Sequence, residues 1–302
     1  MRRRQFIQQV ALSSAAAFIP SAPLWASAEH QKLTILHTND MHSRIDPFPN
    51  DGGRFAGMGG MARRAQIIKQ IRASEKNVLL LDAGDIFQGT PYFNLFEGEL
   101  EFKLMSQMKY DASTLGNHDF DNGLAGLEKQ LPHAEFPFII ANYDFNGTSL
   151  NGRFNPYKIF HIEDIKVGVF GLGIELKGLV NEKLYGATRY LDPLGVAREM
   201  VEELRAQECH LIICLSHLGY QYTSDKVSDV VLASEVSGID LVIGGHTHTF
   251  LEEPTMITNK EGYQVIVNQV GFAGINLGRI DFNITKGSTN FFMKSKTVKV
   301  NN

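Results

Sequence analysis

The chain has 302 residues, of which 43% are hydrophobic and 21% are charged, so it can bury the core of one or two domains. This composition excludes a disordered chain, and two cysteines, Cys209 and Cys214, cannot form a disulfide framework. The formal net charge of −4 argues against a protein that binds nucleic acid through its phosphates. No apolar run reaches the roughly 20 residues of a membrane-spanning helix.

The N-terminal segment has the layout of an export signal. Arginines at positions 2–4 precede an apolar stretch over residues 10–19, and small residues at 26–28 suit a signal peptidase. The letters R-R-Q-F-I-Q resemble the twin-arginine signal of bacteria. We therefore predict that residues 1–28 direct the protein to the periplasm or the outside, and that residues 29–302 form one mature domain.

Short apolar runs alternate with helical periodicity along the remaining chain. The runs that we predict as buried strands are Leu33–His37, Val78–Leu81, Ala112–Leu115, Phe138–Ala141, Val167–Phe170, Leu211–Leu215 and Leu241–Ile243. Helices are predicted from an apolar stripe that starts at Met58 and from the N-cap residue Asp192. Further strands are predicted at Gln264–Asn268, Ile275–Ile284 and Phe291–Val300. This order predicts an α/β domain in which sheet packs on sheet, with helices outside.

Five of the predicted strands are followed directly by carboxylate, amide or imidazole side chains. These side chains belong to Asp40, His42, Asp85, Asn117, His118, His217, His246 and His248. Ligands bind at the carboxyl edge of strands in α/β sheets, so we expect these residues to converge there. Oxygen and imidazole donors without a thiolate suit two ions of manganese, iron(II) or zinc.

Each of these residues taken alone has an ordinary explanation as a turn, cap or hydrogen-bonded residue, and only their joint occurrence carries the prediction. The other histidines are assigned to such structural roles; they are His30, His37, His133, His161 and His210. The glycine-rich segment Gly52–Gly60 is not followed by Lys-Ser/Thr, so we predict a loop rather than a phosphate-binding P-loop.

Five motifs together resemble the catalytic domain of secreted bacterial 5′-nucleotidases, within the calcineurin-like metallophosphoesterases. The motifs are L-H-T-N-D-M-H, G-D-I-F-Q-G, G-N-H-D-F-D, L-S-H-L-G and G-G-H-T-H. The resemblance covers residues 29–302 and implies a four-layer αββα sandwich of two β-sheets flanked by helices. It also implies that the C-terminal substrate-specificity domain of full-length relatives is absent. A separate polypeptide resembling that domain is therefore a candidate partner.

The resemblance further implies a role for each motif residue. One divalent ion would be held by Asp40, His42, Asp85 and His248, and a second by Asp85, Asn117, His217 and His246. His118 would be the catalytic histidine, oriented by Asp121. Asn117 and His118 would also bind the substrate.

The implied reaction is hydrolysis of a phosphate ester by a hydroxide that bridges the two ions. The expected substrates are nucleoside 5′-monophosphates or related nucleotides, such as cyclic nucleotides and UDP-sugars. Two alternatives stay open. One is a thiosulfohydrolase-like enzyme, which shares the domain and the export signal but is normally longer. The other is a non-catalytic binding subunit, which the intact set of candidate ligands disfavours.

Overall fold

A computed structural model describes residues 30–285 and 291–301 of the chain. The strands are β1 His30–Thr38, β2 Val78–Asp82, β3 Ala112–Ser113, β4 Tyr143–Asp144, β5 Tyr157–Ile162, β6 Ile165–Leu172, β7 Arg189–Tyr190, β8 Leu211–Ser216, β9 Leu241–Gly244, β10 Thr255–Thr258, β11 Gln264–Asn268, β12 Asn276–Thr285 and β13 Phe291–Lys299. The helices are α1 Met61–Ser74, α2 Pro91–Phe96, α3 Glu99–Gln107, α4 Gly123–Gln130, α5 Glu182–Tyr185, α6 Pro193–Ala206 and α7 Asp229–Glu235. The predicted export signal, residues 1–28, lies outside the described residues.

Two large sheets organise the chain. The first has the strand order β13-β12-β1-β2-β3, and the second has the order β10-β11-β9-β8-β6-β5. Strands β1, β2 and β3 run parallel in the first sheet, and β6, β8, β9 and β11 run parallel in the second. The segments that follow parallel strands therefore emerge at one edge of each sheet.

Three hydrophobic clusters define the layers. Ile35 from β1 and Ile213 from β8 are buried in the cluster between the two sheets. Ile68 from α1 and Phe102 from α3 are buried against the outer face of the first sheet. Leu204 from α6 belongs to the cluster on the outer face of the second sheet. Sheet packs on sheet with helices on both outer faces, which confirms the predicted fold class.

The predicted strand at Phe138–Ala141 is wrong, although the segment is buried. Its backbone pairs with several neighbours instead of one: Ile139 N–H donates to the carbonyl of Ser113 at 2.8 Å, and Ala141 N–H donates to that of Gly171 at 2.9 Å. Ser113 belongs to β3 and Gly171 to β6, so this segment links the two sheets rather than extending either one.

The first helix begins at Met61 rather than at Met58. Gly59 and Gly60 precede it with φ angles of 78° and 98°, a left-handed backbone that glycine adopts without strain and that a helix cannot contain. The segment Gly52–Gly60 is therefore a loop that leads into α1, as predicted.

The prediction of two buried free thiols is confirmed. Cys209 and Cys214 are buried free thiols. Within residues 30–285 and 291–301, none of the helices has both the length and the apolar character that a membrane span needs.

The start of α6 follows the rules for helix N-termini. The carboxylate of Asp192 accepts hydrogen bonds from the backbone N–H groups of Leu194 at 3.3 Å and Gly195 at 2.9 Å. Pro193 occupies the first helical turn, where its missing N–H costs nothing. The helix then buries Ala197 and Val201 against the second sheet.

Replacing Asp192 by Ala should lower the free energy of unfolding by about 1 kcal/mol, because two N–H groups of α6 lose their acceptor. The variant Asp192→Asn keeps an acceptor and should lose much less. Urea denaturation of the two variants measures the difference. Equal stability of the Ala variant and the native chain would show that the cap contributes nothing.

Candidate metal centre

The side chains that the sequence predicts as ligands lie close together, beside the carboxyl ends of parallel strands from both sheets. Two groups each bring one candidate ligand atom per residue within 4.8 Å of one another: Asp40, His42 and His248 form the first, and Asp85, His217 and His246 form the second. The residues come from the segments after β1, β2, β8 and β9, so the five-stranded and six-stranded sheets both contribute.

In the first group, imidazole nitrogens face each other and a carboxylate. Nε2 of His42 lies 2.9 Å from Nε2 of His248, which lies 3.3 Å from Oδ1 of Asp40. Oδ2 of Asp85 lies 3.9 Å from Nε2 of His42. Two imidazole nitrogens at this distance need a proton or a cation between them, so this arrangement fits a metal ion.

In the second group, His217 offers a buried nitrogen without a hydrogen-bond partner. Its Nδ1 lies 2.7 Å from the carbonyl oxygen of Ala83, which accepts the ring proton. Its Nε2 lies 3.1 Å from Oδ2 of Asp85, yet makes no hydrogen bond within the described structure. A histidine that donates one N–H to a backbone carbonyl and aims the other nitrogen at a carboxylate fits a metal ligand.

Asn117 joins the second group through an amide oxygen. Its Oδ1 lies 2.9 Å from Nδ1 of His246. Asn117 follows β3 and His246 follows β9, so this contact also connects the two sheets. An amide oxygen and an imidazole nitrogen side by side are an acceptable pair of ligands for one divalent ion.

The backbone of the candidate ligands is strained. The φ angles of Asp40, His42, Asp85, His246 and His248 lie between 46° and 71°. Non-glycine residues adopt this left-handed region at a cost on the order of 1–3 kcal/mol each, and the surrounding structure must offset it. Strain concentrated in five residues that meet at one place is typical of a functional site.

Glycines allow these segments to approach one another. A Cβ atom on Gly245 would lie 2.8 Å from Nδ1 of His217, and one on Gly116 would lie 2.1 Å from Oδ1 of Asp85. Any side chain at either position would push a candidate ligand out of place.

Burial and neighbouring charges shift the pKa values of the second group. Burial alone lowers the pKa of His217, but the charge of Asp85 raises it to about 10. Burial alone raises the pKa of Asp85, but the charge of His217 holds it below its ordinary value. Burial and the charge of His217 lower the pKa of His246 to about 4. A cation that binds beside Asp85 must displace the proton of His217, so metal binding weakens as the pH falls.

His118 lies beside both groups and belongs to neither. Its Nδ1 lies 2.8 Å from Oδ2 of Asp121, and this hydrogen bond raises the pKa of His118 above its ordinary value. Its backbone N–H donates to Oδ1 of Asp85 at 2.7 Å. The side chain of His118 is 37% exposed, so its ring can contact a bound molecule.

A cavity of about 270 Å³ opens at this point. Its lining residues are His42, Arg44, Gln88, Gly89, His118, His248, Phe272 and Ala273. The cavity therefore gives a small molecule access to the first group and to His118 at the same time.

Sequence reasoning missed Asp119, a buried residue that holds the site together. Its carboxylate accepts backbone N–H bonds from Asp85 at 3.0 Å, Ile86 at 2.9 Å, Phe87 at 3.3 Å and Gly116 at 2.8 Å. These hydrogen bonds to Asp119 connect the turn after β2 with the turn after β3. The available signal was an extra carboxylate inside the motif G-N-H-D-F-D that had no assigned role.

Asn39 and Gln269 were also missed. Asn39 Nδ2 donates to Oδ2 of Asp40 at 2.6 Å, and its Oδ1 accepts from the N–H of Val270 at 3.1 Å. Gln269 Nε2 donates to the carbonyl of Gly245 at 2.7 Å. These amides fix the segments after β1, β9 and β11 relative to one another.

The histidines assigned to structural roles lie outside both groups. His37 is the most buried of them; its Nε2 lies 2.9 Å from Nδ2 of Asn268, and burial lowers its pKa to about 3. A neutral, hydrogen-bonded imidazole inside the sheet is a core residue, which agrees with the sequence assignment.

Comparison with known proteins gives consistent matches. Residues 33–250 match the calcineurin-like phosphoesterase family. A snake venom 5′-nucleotidase of Crotalus adamanteus is 37% identical, over 92% of this chain and 50% of the relative. The 5′-nucleotidase of Homo sapiens is 35% identical, over 86% of this chain and 48% of the relative. The crystal structure of a 5′-nucleotidase precursor from Thermus thermophilus matches with a TM-score of 0.81 and 34% identity, over 89% of this chain and 54% of that one. The chain spans about half the length of the curated relatives it matches.

Replacing Asp119 by Ala should destabilise the fold strongly, because its buried N–H partners lose their acceptor at about 1–3 kcal/mol each. We expect the free energy of unfolding to fall by at least about 3 kcal/mol. Asp121→Ala, which removes a neighbouring but partly exposed carboxylate, should lose about 1 kcal/mol or less. Denaturant unfolding followed by circular dichroism measures the free energy of unfolding of the two variants. Equal losses of free energy in both would refute the special role of Asp119.

Proposed function

Because the chain belongs to the calcineurin-like phosphoesterase family, we propose that it is a phosphoric ester hydrolase with two divalent metal ions. The proposed substrates are nucleoside 5′-monophosphates or related nucleotides. The observation that carries this proposal is the position of Asp85, which lies in the second candidate group and within 3.9 Å of His42 in the first. The 5′-nucleotidases among the relatives support the substrate class.

The proposed ligand sets share Asp85. One ion is held by Asp40, His42, Asp85 and His248, and the other by Asp85, Asn117, His217 and His246. The donor atoms are carboxylate and amide oxygens and imidazole nitrogens, which suit manganese, iron or zinc. Two such ions act as Lewis acids that make water a nucleophile near neutral pH and neutralise charge on the phosphoryl group.

Side chains of the protein carry out the remaining steps. Asn117 and His118 bind the phosphoryl oxygens beside the metal centre. Water attacks phosphorus and releases a proton as its O–P bond forms, the ester P–O bond breaks, and the electron pair of that bond stays on the leaving oxygen. Nε2 of His118 gives that oxygen a proton, since Nδ1 is held by Asp121 at 2.8 Å. The released proton replaces the one that His118 gives away. The hydrogen bond to Asp121 raises the pKa of His118 above its ordinary value, which favours the protonated ring.

We also propose export by residues 1–28. The basic start, the apolar stretch and the small residues at 26–28 support a twin-arginine type of signal and a periplasmic or secreted protein. A fusion of residues 1–28 to a reporter protein, expressed in cells with and without twin-arginine transport, tests this proposal.

A phosphate-release screen with added Mn²⁺ tests the proposed activity directly. The panel contains nucleoside monophosphates, cyclic nucleotides, UDP-sugars and sugar phosphates. We expect release from nucleotides above that from sugar phosphates. Sulfate release from protein-bound thiosulfonate with no phosphate release would favour the thiosulfohydrolase alternative, and no turnover of any ester would favour a binding subunit.

His118→Asn should separate chemistry from metal binding. We expect kcat to fall by about 10²–10⁴-fold, the usual contribution of a positioned acid or base, while two equivalents of metal remain bound. The matched control is His161→Asn, since His161 is exposed on β5 and lies outside both groups. Wild-type turnover in the His118 variant would show that this residue is structural.

Asp85→Asn should remove charge from both proposed metal sites at once. We expect the purified variant to lose metal and phosphatase activity together, because the two ions share this carboxylate. Asp51→Asn, at an exposed loop position, serves as the control for charge. Elemental analysis measures the metal, and two bound equivalents in the Asp85 variant would rule out the bridging role.

A further inference from the structure

The imidazole of His248 is held differently from those of His42 and His217. Nδ1 of His217 lies 2.7 Å from the carbonyl oxygen of Ala83, and Nδ1 of His42 lies 3.3 Å from that of Phe87. In the part of the chain that the structure describes, the polar contacts of His248 reach only its Nε2. Histidine ligands are usually oriented through the nitrogen that does not bind the metal, so the orientation of this ring needs another source.

Burial does not fix the ring of His248 either. Its side chain is 40% exposed, whereas the side chains of His42 and His217 are 12% and 0% exposed. The backbone of His248 has a φ angle of 52°, a left-handed conformation that a non-glycine residue keeps only where its surroundings hold it. The orientation of the ring therefore depends on what contacts its faces.

Phe272 covers one face of the His248 ring. The two ring centroids lie 5.0 Å apart, and the ring planes are inclined by 13°. The other aromatic neighbour, His42, meets His248 edge-on, at 4.9 Å and 66°. A parallel contact restricts rotation of the imidazole and leaves both of its nitrogens free, because they point outward in the ring plane. Phe272 is thus the contact that sets the plane of this ring.

Three phenylalanines hold the ring of Phe272 in turn. The ring centroids of Phe48, Phe55 and Phe250 lie 6.3, 5.5 and 6.0 Å from that of Phe272, and each ring stands at 81–82° to it. Phe55 belongs to the glycine-rich segment Gly52–Gly60, which contributes no candidate ligand to the metal centre. This segment therefore contributes to the metal centre through packing.

The backbone on both sides of this phenylalanine is bonded to segments that carry candidate ligands. The N–H of Ala273 donates to the carbonyl of Asp40 at 2.7 Å, and the N–H of Gly271 donates to the carbonyl of Thr249 at 2.9 Å. Thr249 directly follows His248 in the sequence. These hydrogen bonds form without any ion, so the stacked arrangement is ready before a metal binds. A ligand that is already fixed loses less entropy on binding.

We propose that Phe272 is a positioning residue for the first metal site: its ring holds the imidazole of His248 in the orientation that binds the ion. This inference rests on the proposed function, in which His248 is a ligand. Among the described residues, the ring contacts of Phe272 include His248 but neither His217 nor His246. Loss of the Phe272 ring should therefore weaken one of the two ions and leave the other in place.

The test compares Phe272→Leu, which keeps an apolar side chain but removes the ring, with Phe272→Tyr, which keeps the ring. The matched control is Phe154→Leu. Phe154 is partly buried like Phe272, and its ring contacts are with Phe138 and Phe145, far from the candidate ligands. Calorimetric titration of the metal-free full chain with Mn²⁺ measures the affinity of each site without relying on turnover. Melting temperatures establish that each variant is folded.

Phe272→Leu should weaken the binding of one Mn²⁺ equivalent by about 10- to 100-fold, the usual effect of removing a group that orients a ligand. The affinity for the other equivalent should change by less than about threefold, because its ligands do not contact Phe272. Phe272→Tyr and Phe154→Leu should both bind two equivalents as the native chain does. Equal weakening of both equivalents in Phe272→Leu, or no weakening of either, would overturn the role of Phe272.

A double-mutant cycle with His248→Gln tests whether Phe272 acts through this imidazole. Glutamine keeps an oxygen that can bind the ion but has no ring to stack. In the His248→Gln background, Phe272→Leu should therefore change the Mn²⁺ affinity by less than about threefold. The same loss in both backgrounds would show that Phe272 acts on the fold and not on His248. Binding of fewer than two equivalents by the native chain would instead overturn the proposed function.

Discussion

The placement of one carboxylate, that of Asp85, is the constraint on which the site depends. Its Oδ1 accepts the backbone N–H of His118 at 2.7 Å, and its Oδ2 lies 3.1 Å from Nε2 of His217. His118 follows β3 of the first sheet, and His217 follows β8 of the second sheet. The single side chain of Asp85 therefore contacts segments from both sheets. His42 of the first group also lies within 3.9 Å of this carboxylate.

Such an arrangement is unfavourable on its own and needs a rigid support. Asp85 is buried in a left-handed conformation, and Asp40 is buried with its Oδ1 4.0 Å from Nε2 of His217. The support comes from two kinds of interaction. The backbone N–H bonds accepted by Asp119 fix the turn that carries Asp85, and the backbone N–H of His246 donates to both oxygens of Asp40 at 3.0 Å. The cores on both faces of each sheet then keep these turns in position.

The sequence was sufficient for the features that depend on local pattern. Apolar runs predicted most buried strands, and the polar residues after them predicted where Asp85, His217 and the other candidates converge. Features that depend on long-range packing were not predictable in this way. Phe138–Ala141 has the composition of a strand but links two sheets. Asp119 accepts N–H bonds from Asp85, Ile86 and Phe87, which lie far away in sequence, and the cavity at Arg44 is built from distant segments.

We propose that Asp85 lies between two divalent ions at the junction of the sheets. Anomalous X-ray diffraction from crystals grown with Mn²⁺ tests it most directly, because it locates each ion without relying on turnover. We expect two peaks that share Asp85, one beside His42 and His248 and the other beside His217 and His246. A single peak, or peaks that do not contact Asp85, would contradict it.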